Sequence, residues 1–149
     1  MLSWLIWWSL RRAGEEDRAE RMRVAGGGAI VMVGSISGLS AGPGYATYSS
    51  SKAALLMLTR CLAIDFGPWD IRINAVIPGT VDTPALRREL RRLNLSWEDF
   101  EEHLRQKQCL AGVIQPEHIA ESILFLSGDG ARMISGASLV VDAGYTAGK

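Results

Sequence analysis

The stretch GSISGLSAGPGYATYSSSKAALLMLTR, Gly34 to Arg60, lies between an apolar run and a long periodic segment, and its reading decides the fold. Immediately before it, AIVMV (Ala29–Val33) is continuous, β-branched and bounded by glycines, the form of a strand buried on both faces of a parallel sheet. Within it and just beyond, apolar residues recur at Leu55, Leu58, Leu62 and Phe66, with a second set at Ala54, Met57, Cys61 and Ile64. That spacing predicts a helix over Tyr48–Phe66, stopped by Gly67-Pro68, which packs on the sheet with one face and on something else with the other. IRINAVIPG (Ile71–Gly79) reads as the next strand, PEHIAESILFLSG (Pro116–Gly128) as a helix with proline in its first turn, and SLVVD (Ser138–Asp142) as a last short strand. Strand, helix, strand, helix, strand predicts an α/β fold: a short parallel sheet of about three strands flanked by helices, with right-handed crossovers. Ligands of such sheets sit outside the carboxyl ends of the strands, where Ser35 and Pro78-Gly79 fall.

Tyr48 and Lys52 are four residues apart, so a helix places them on one face, one turn apart. An ammonium beside a phenol favours the phenolate, which suits a group that trades protons with a substrate oxygen. Ser35, at the end of the first strand, reaches the same point if the intervening loop folds back over the start of the helix. Its hydroxyl would then meet developing oxyanion charge. By themselves these spacings are common and fit a surface pair. A different chemistry is offered by GLSAG (Gly38–Gly42), which has the form of a nucleophile elbow, with His103 and His118 downstream. An elbow serine sits directly between strand and helix, whereas Ser40 lies five residues past Ser35 inside the loop, so the pattern fails on context.

Between Pro84 and Gln108 the chain is polar, with two short helical segments, LRRELRRL and SWEDFEEHLRQ, leaving the top of the second strand as a lid would. Arg87, Arg88, Arg91 and Arg92 read as a solvated helix face paired with Glu89. At the other end, MLSWLIWWSLRR carries an apolar run well short of the roughly 20 residues a membrane-spanning helix needs. Trp4, Trp7 and Trp8 give that segment a helical stripe, and the charged residues Arg11 to Arg23 continue it as a solvated helix ended by Gly26-Gly27-Gly28. Residues 1–25 therefore form an N-terminal helical segment and residues 26–149 one α/β portion. The 16 basic and 16 acidic residues balance, so no charge surplus points to nucleic acid or an anionic membrane. Cys61 and Cys109 lack zinc-site or disulfide spacing and fit reduced thiols in a cytoplasmic protein.

Taken together, Ser35, Tyr48-x-x-x-Lys52, NAVIPGTVDTP (Asn74–Pro84) and PEHIAESILFLSGDGARMISGASLVVDAGY (Pro116–Tyr145) resemble the short-chain dehydrogenase/reductase family in motif, order and spacing. The resemblance runs from Gly28 to about Ala147. It implies a partial Rossmann-like fold and hydride transfer between NAD or NADP and a carbonyl or alcohol. In the family's pattern Tyr48 is the proton donor and acceptor, Lys52 binds the nicotinamide ribose and favours the ionised tyrosine, and Ser35 holds the substrate oxygen. Pro78, Gly79, Val81 and Thr83 match the segment that touches the cofactor.

The sequence also departs from the pattern. It contains neither the glycine-rich nucleotide-binding turn nor the Asn-Asn-Ala-Gly motif, and no asparagine precedes Asn74. Val113 stands where arginine is common, and Asp142-Ala143-Gly144 replaces Asp-Gly-Gly. By that comparison the first strand lacks a neighbour, and natural proteins cover such an edge. The tryptophan-rich segment, a second copy of the chain or a separate nucleotide-binding polypeptide would serve. The resemblance further implies a small-molecule substrate and a homo-oligomer built on the Tyr48–Phe66 helix. Two other functions use the same residues: a cofactor-independent hydrolase or lyase built on Ser35, Tyr48 and Lys52, and a non-catalytic truncated relative acting as a dimerisation module.

Overall fold

A computed structural model describes residues 15–148. The tryptophan stripe of residues 4–8 lies outside the described residues, as does the first part of the expected N-terminal helix. The described part begins with α1 (Glu15–Val24), which ends where Gly26 and Gly27 take positive φ of 89° and 121°. There follow β1 (Gly28–Val33), α2 (Ala46–Phe66), β2 (Ile71–Pro78), α3 (Pro84–Arg92), α4 (Trp97–Arg105), α5 (Pro116–Ser127) and β3 (Ser138–Val141). Each of the three expected strands and the long helix falls within two residues of its sequence boundaries.

The three strands are parallel in the order β1-β2-β3, with Ile30 opposite Ile73 and Val76 opposite Leu139. β2, the central strand, is buried along almost its whole length. Its odd-numbered residues Ile71, Ile73, Ala75 and Ile77 pack under α1 and α2 against Ala19, Leu56 and Leu62. On the opposite face Val76 joins Ile119 and Leu126 of α5. The strands thus step in one direction across the sheet while α2 and α5 cover opposite faces. Two crossovers of equal hand would put both helices on one face, so one of this pair breaks the right-handed rule expected from the sequence.

Two polar side chains of β2, one buried and one partly buried, hold the second crossover. Asn74, fully buried, donates from Nδ2 to the Ile134 carbonyl (2.8 Å) and accepts the Ala137 N–H (3.0 Å), which fixes the loop that enters β3. Arg72 reaches from β2 to the last turn of α5, donating to the carbonyls of Leu126 (2.7 Å), Ser127 (3.1 Å) and Gly128 (3.2 Å). The Leu126 and Ser127 carbonyls belong to the last turn, where a helix leaves its acceptors without intrahelical donors. The Gly128 carbonyl also accepts the Ala131 N–H (3.2 Å), and a guanidinium there meets the negative end of the helix dipole.

The second apolar face of α2 is open among the described residues: Met57, Cys61 and Ile64 are exposed, Ile64 at 76%. α3 and α4 form a small unit above the carboxyl ends of the strands. Thr83 caps α3 by accepting the Leu86 N–H, and Ser96 caps α4 by accepting that of Asp99. Arg92 pairs with Glu89, as the sequence suggests, but Arg87 turns to Asp82 (2.7 Å) and lies 4.3 Å from the Trp97 ring centroid. The Arg87 guanidinium holds the Asp82 carboxyl below its ordinary range. No described helix is long and apolar enough to cross a membrane.

Candidate active site

β1 ends at Val33, and the chain turns at once into the short helical turn Ile36–Gly38. Ser35 sits between them in extended conformation, half-buried, and its Oγ accepts the Ser37 N–H at 3.2 Å. That bond consumes a lone pair and leaves the hydroxyl proton free to donate. The turn lies directly on α2. A Cβ placed on Gly38 would stand 2.9 Å from the carbonyl carbon of Lys52 and 3.1 Å from the Ala53 nitrogen, so only glycine permits this approach. Gly34 is similarly confined, by Ile77 and Leu56. Neither glycine stands out as functional in the sequence; the signal available is their spacing, four residues apart around Ser35.

On the first turns of α2, Tyr48 is 46% exposed, and the Lys52 ammonium lies 5.8 Å from its ring centroid. Lys52 Nζ donates to the Val33 carbonyl at 3.1 Å. In a parallel ladder alternate residues point their amide groups away from the partner strand. Gly34 donates to the Val76 carbonyl of β2, which by alternation puts the groups of Val33 on the side of β1 facing away from β2. Lys52 thus bridges from the helix to the edge of the sheet that no strand pairs with among the described residues. Tyr45, one turn before Tyr48, meets it edge to face at 6.2 Å. The structure brings Tyr48 and Lys52 together, and Gly38 presses the Ser35 turn against the same part of α2.

The remaining residues singled out by the sequence line the exit from β2. Pro78 is buried, and the Gly79 N–H donates to the Val141 carbonyl at 2.9 Å. Val81 bridges to Ile114 alongside, and Thr83 opens α3. The other candidates scatter. Ser40 is exposed in the loop after the Ile36–Gly38 turn, with its Oγ directed to the Ile36 carbonyl (3.4 Å), so GLSAG is not an elbow between strand and helix. His103 is exposed on α4, and His118 Nδ1 accepts the Gln115 N–H at the start of α5. No group of three or more metal-ligating side chains occurs among the described residues.

A parallel sheet with helices on both faces, a tyrosine and a lysine on one helix face and a hydroxyl just past the end of the first strand place the chain in the Rossmann-like α/β class. Residues 16–146 match the family model described as enoyl-(acyl carrier protein) reductase, and the chain belongs to the short-chain dehydrogenase/reductase family. It is 39% identical over 128 residues to cyclopentanol dehydrogenase of Comamonas testosteroni, a match covering 86% of this chain and 49% of that one. It is 41% identical over 127 residues to L-rhamnose 1-dehydrogenase (NAD(P)(+)) of Azotobacter vinelandii, covering 85% and 48%. Among solved structures, 7α-hydroxysteroid dehydrogenase complexed with NADH and 7-oxo glycochenodeoxycholic acid superposes with a TM-score of 0.76 at 33% identity, over 85% of this chain and 47% of that one. A 4-hydroxyisoleucine dehydrogenase mutant complexed with NADH and succinate gives 0.79 at 36% identity, over 91% and 54%. The chain spans about half the length of these relatives.

Proposed function

We propose that this chain supplies the catalytic half of an NAD- or NADP-dependent oxidoreductase that moves hydride between the nicotinamide and a carbonyl or alcohol, with Tyr48 as general acid or base. The observation that carries this reading is Lys52, anchored by one N–H on Val33 and lying 5.8 Å from the Tyr48 ring. Two of its donors remain free, the Tyr48 phenol is partly open to solvent, and Thr83 keeps its hydroxyl proton after accepting from Leu86. That donor set fits the hydroxyls of a nicotinamide ribose, with Pro78, Gly79 and Val81 as the adjoining wall. When bound, the cofactor gives or takes the hydride. Tyr48 gives a proton to the substrate oxygen in reduction or takes it in oxidation, and Ser35 donates to the same oxygen as charge develops there.

Both solved relatives described above are complexes with NADH, which supports a nicotinamide cofactor here. The rest of the dinucleotide site comes from outside the matched residues, on the same polypeptide or on a separate one that completes β1. The substrate is a small molecule, the working form is a homo-oligomer, and the location is cytoplasmic. The test is NAD(P)-linked oxidation of a panel of secondary alcohols that includes cyclopentanol and L-rhamnose, by the intact polypeptide. Tyr48→Phe should cost about 10²–10⁴ in turnover, the usual contribution of a positioned proton donor, and leave NADH fluorescence quenching in place. Lys52→Met should lose both. Undiminished turnover in Tyr48→Phe, or quenching indifferent to Lys52→Met, would overturn the assignment.

A further inference from the structure

Residues 107–112 return the chain from α4 to the sheet, and two of their amides converge on one acceptor. Cys109 N–H and Leu110 N–H both donate to the Ala143 carbonyl, at 2.8 Å and 3.0 Å. The tight turn that carries this carbonyl also touches the site. A Cβ on Gly79 would lie 2.9 Å from Asp142 Cα, and one on Gly144 would lie 2.7 Å from the Cys109 side chain. One turn after β3 therefore contacts both the exit from β2 and the end of the segment above it.

Its backbone is strained: Ala143 takes a φ of 54°, where a Cβ is unfavourable, and Gly144 a φ of 79°. Asp142 holds it there. Its carboxylate is almost wholly buried, at 6% residue exposure, and accepts the Gly144 N–H (2.9 Å), the Thr146 N–H (2.8 Å) and the Thr146 hydroxyl (2.6 Å). Burial by itself would push the carboxyl up, but the hydrogen bonds from Thr146, Gly144 and Tyr145 outweigh it and hold it below its ordinary range. Packing does not do this job alone. A mostly apolar groove of about 270 Å³, open to solvent, lies between Leu110, Val113 and Ile114 on one side and Val141 and Ala143 on the other, and Leu110 is 66% exposed.

We propose that Asp142 is a positioning residue: it keeps Ala143 in the left-handed conformation that aims its carbonyl at the return hinge, and seats the same turn against Gly79. The segment over the site and the exit from β2 are thereby fixed in one geometry. The inference rests on the proposed function only in treating Gly79 as a cofactor contact; the clasp itself is read without turnover. Amide hydrogen exchange of the intact polypeptide tests it. In Asp142→Asn, exchange at Cys109, Leu110 and Gly79 should accelerate about tenfold or more, as loss of charge-assisted hydrogen bonds implies, while Ile73 to Val76 in β2 keep their rates. Thr146→Val, which removes one donor and keeps the carboxylate, should give the same local pattern at smaller amplitude. Unchanged exchange at Cys109 and Leu110, or equal acceleration in β2, would overturn the proposal, the second because it marks a global loss of stability. Tyr48→Phe should leave all these rates unchanged, so a failed catalytic assignment and a failed clasp appear in different measurements.

Discussion

A methyl group on Gly38 would land inside the backbone of α2, within 3.1 Å of three atoms of Lys52 and Ala53. Backbone cannot rotate away as a side chain can, so the turn itself must lift. Gly38→Ala should therefore cost about 1–3 kcal/mol in urea unfolding, the usual range for overpacking. The larger effect should be on chemistry, because the turn carries Ser35 and the helix carries Tyr48 and Lys52. A displacement near 1 Å costs about 10²-fold in rate. Loss of turnover no greater than the loss of folded protein would show that Ser35 has no part in the reaction. Ser35, Tyr48 and Lys52 are singled out in the sequence by the family resemblance of the motifs around them, since their spacing alone fits a surface pair. The constraint on Gly38 is not legible there, because close approach of a distant backbone leaves no periodic signature.

β2 shows what a strand pattern conceals. IRINAVIPG announces a buried strand through its branched apolar residues, yet its interior carries an arginine and an asparagine. Each is a partner to a specific carbonyl or amide of the second crossover. A charged group in the interior of a buried strand is itself a sequence signal that such a partner exists. Arg72→Met keeps the apolar stem and removes three hydrogen bonds from the end of α5, so unfolding free energy should fall by about 2 kcal/mol, within the range for bonds to a charged group. A loss under about 0.5 kcal/mol, no more than an ordinary surface substitution gives, would mean that water replaces the guanidinium without penalty. Element boundaries were readable because caps and stops are local: Pro84 and Pro116 each stand in a helix's first turn, and Gly67-Pro68 ends α2. That the two crossovers differ in hand was not readable. Periodicity reports that a helix has a buried face, and α2 and α5 satisfy it equally while lying on opposite sides of the sheet.

At the scale of the molecule, burial and composition disagree in two places. β1 has the residues of a strand covered on both sides, but Val33 is 45% exposed and the strand pairs with β2 alone among the described residues. α2 turns Met57, Cys61 and Ile64 outward along one stripe, the last two a turn apart. Contiguous apolar surface of this kind marks an association site. Met57, Cys61 and Ile64 follow one another at helical spacing, whereas the strand edge is bridged at its end by Lys52, so the helix is the better candidate for self-association. Light scattering should find a dimer at micromolar concentration. Ile64→Asp, which forces a carboxylate into that contact, should raise the dissociation midpoint at least tenfold, equivalent to about 1.4 kcal/mol, without lowering the stability of the isolated fold, because Ile64 is 76% exposed. A monomer at that concentration, or a dimer indifferent to the substitution, would move the interface off α2 and leave the edge of β1 as the surface that needs covering.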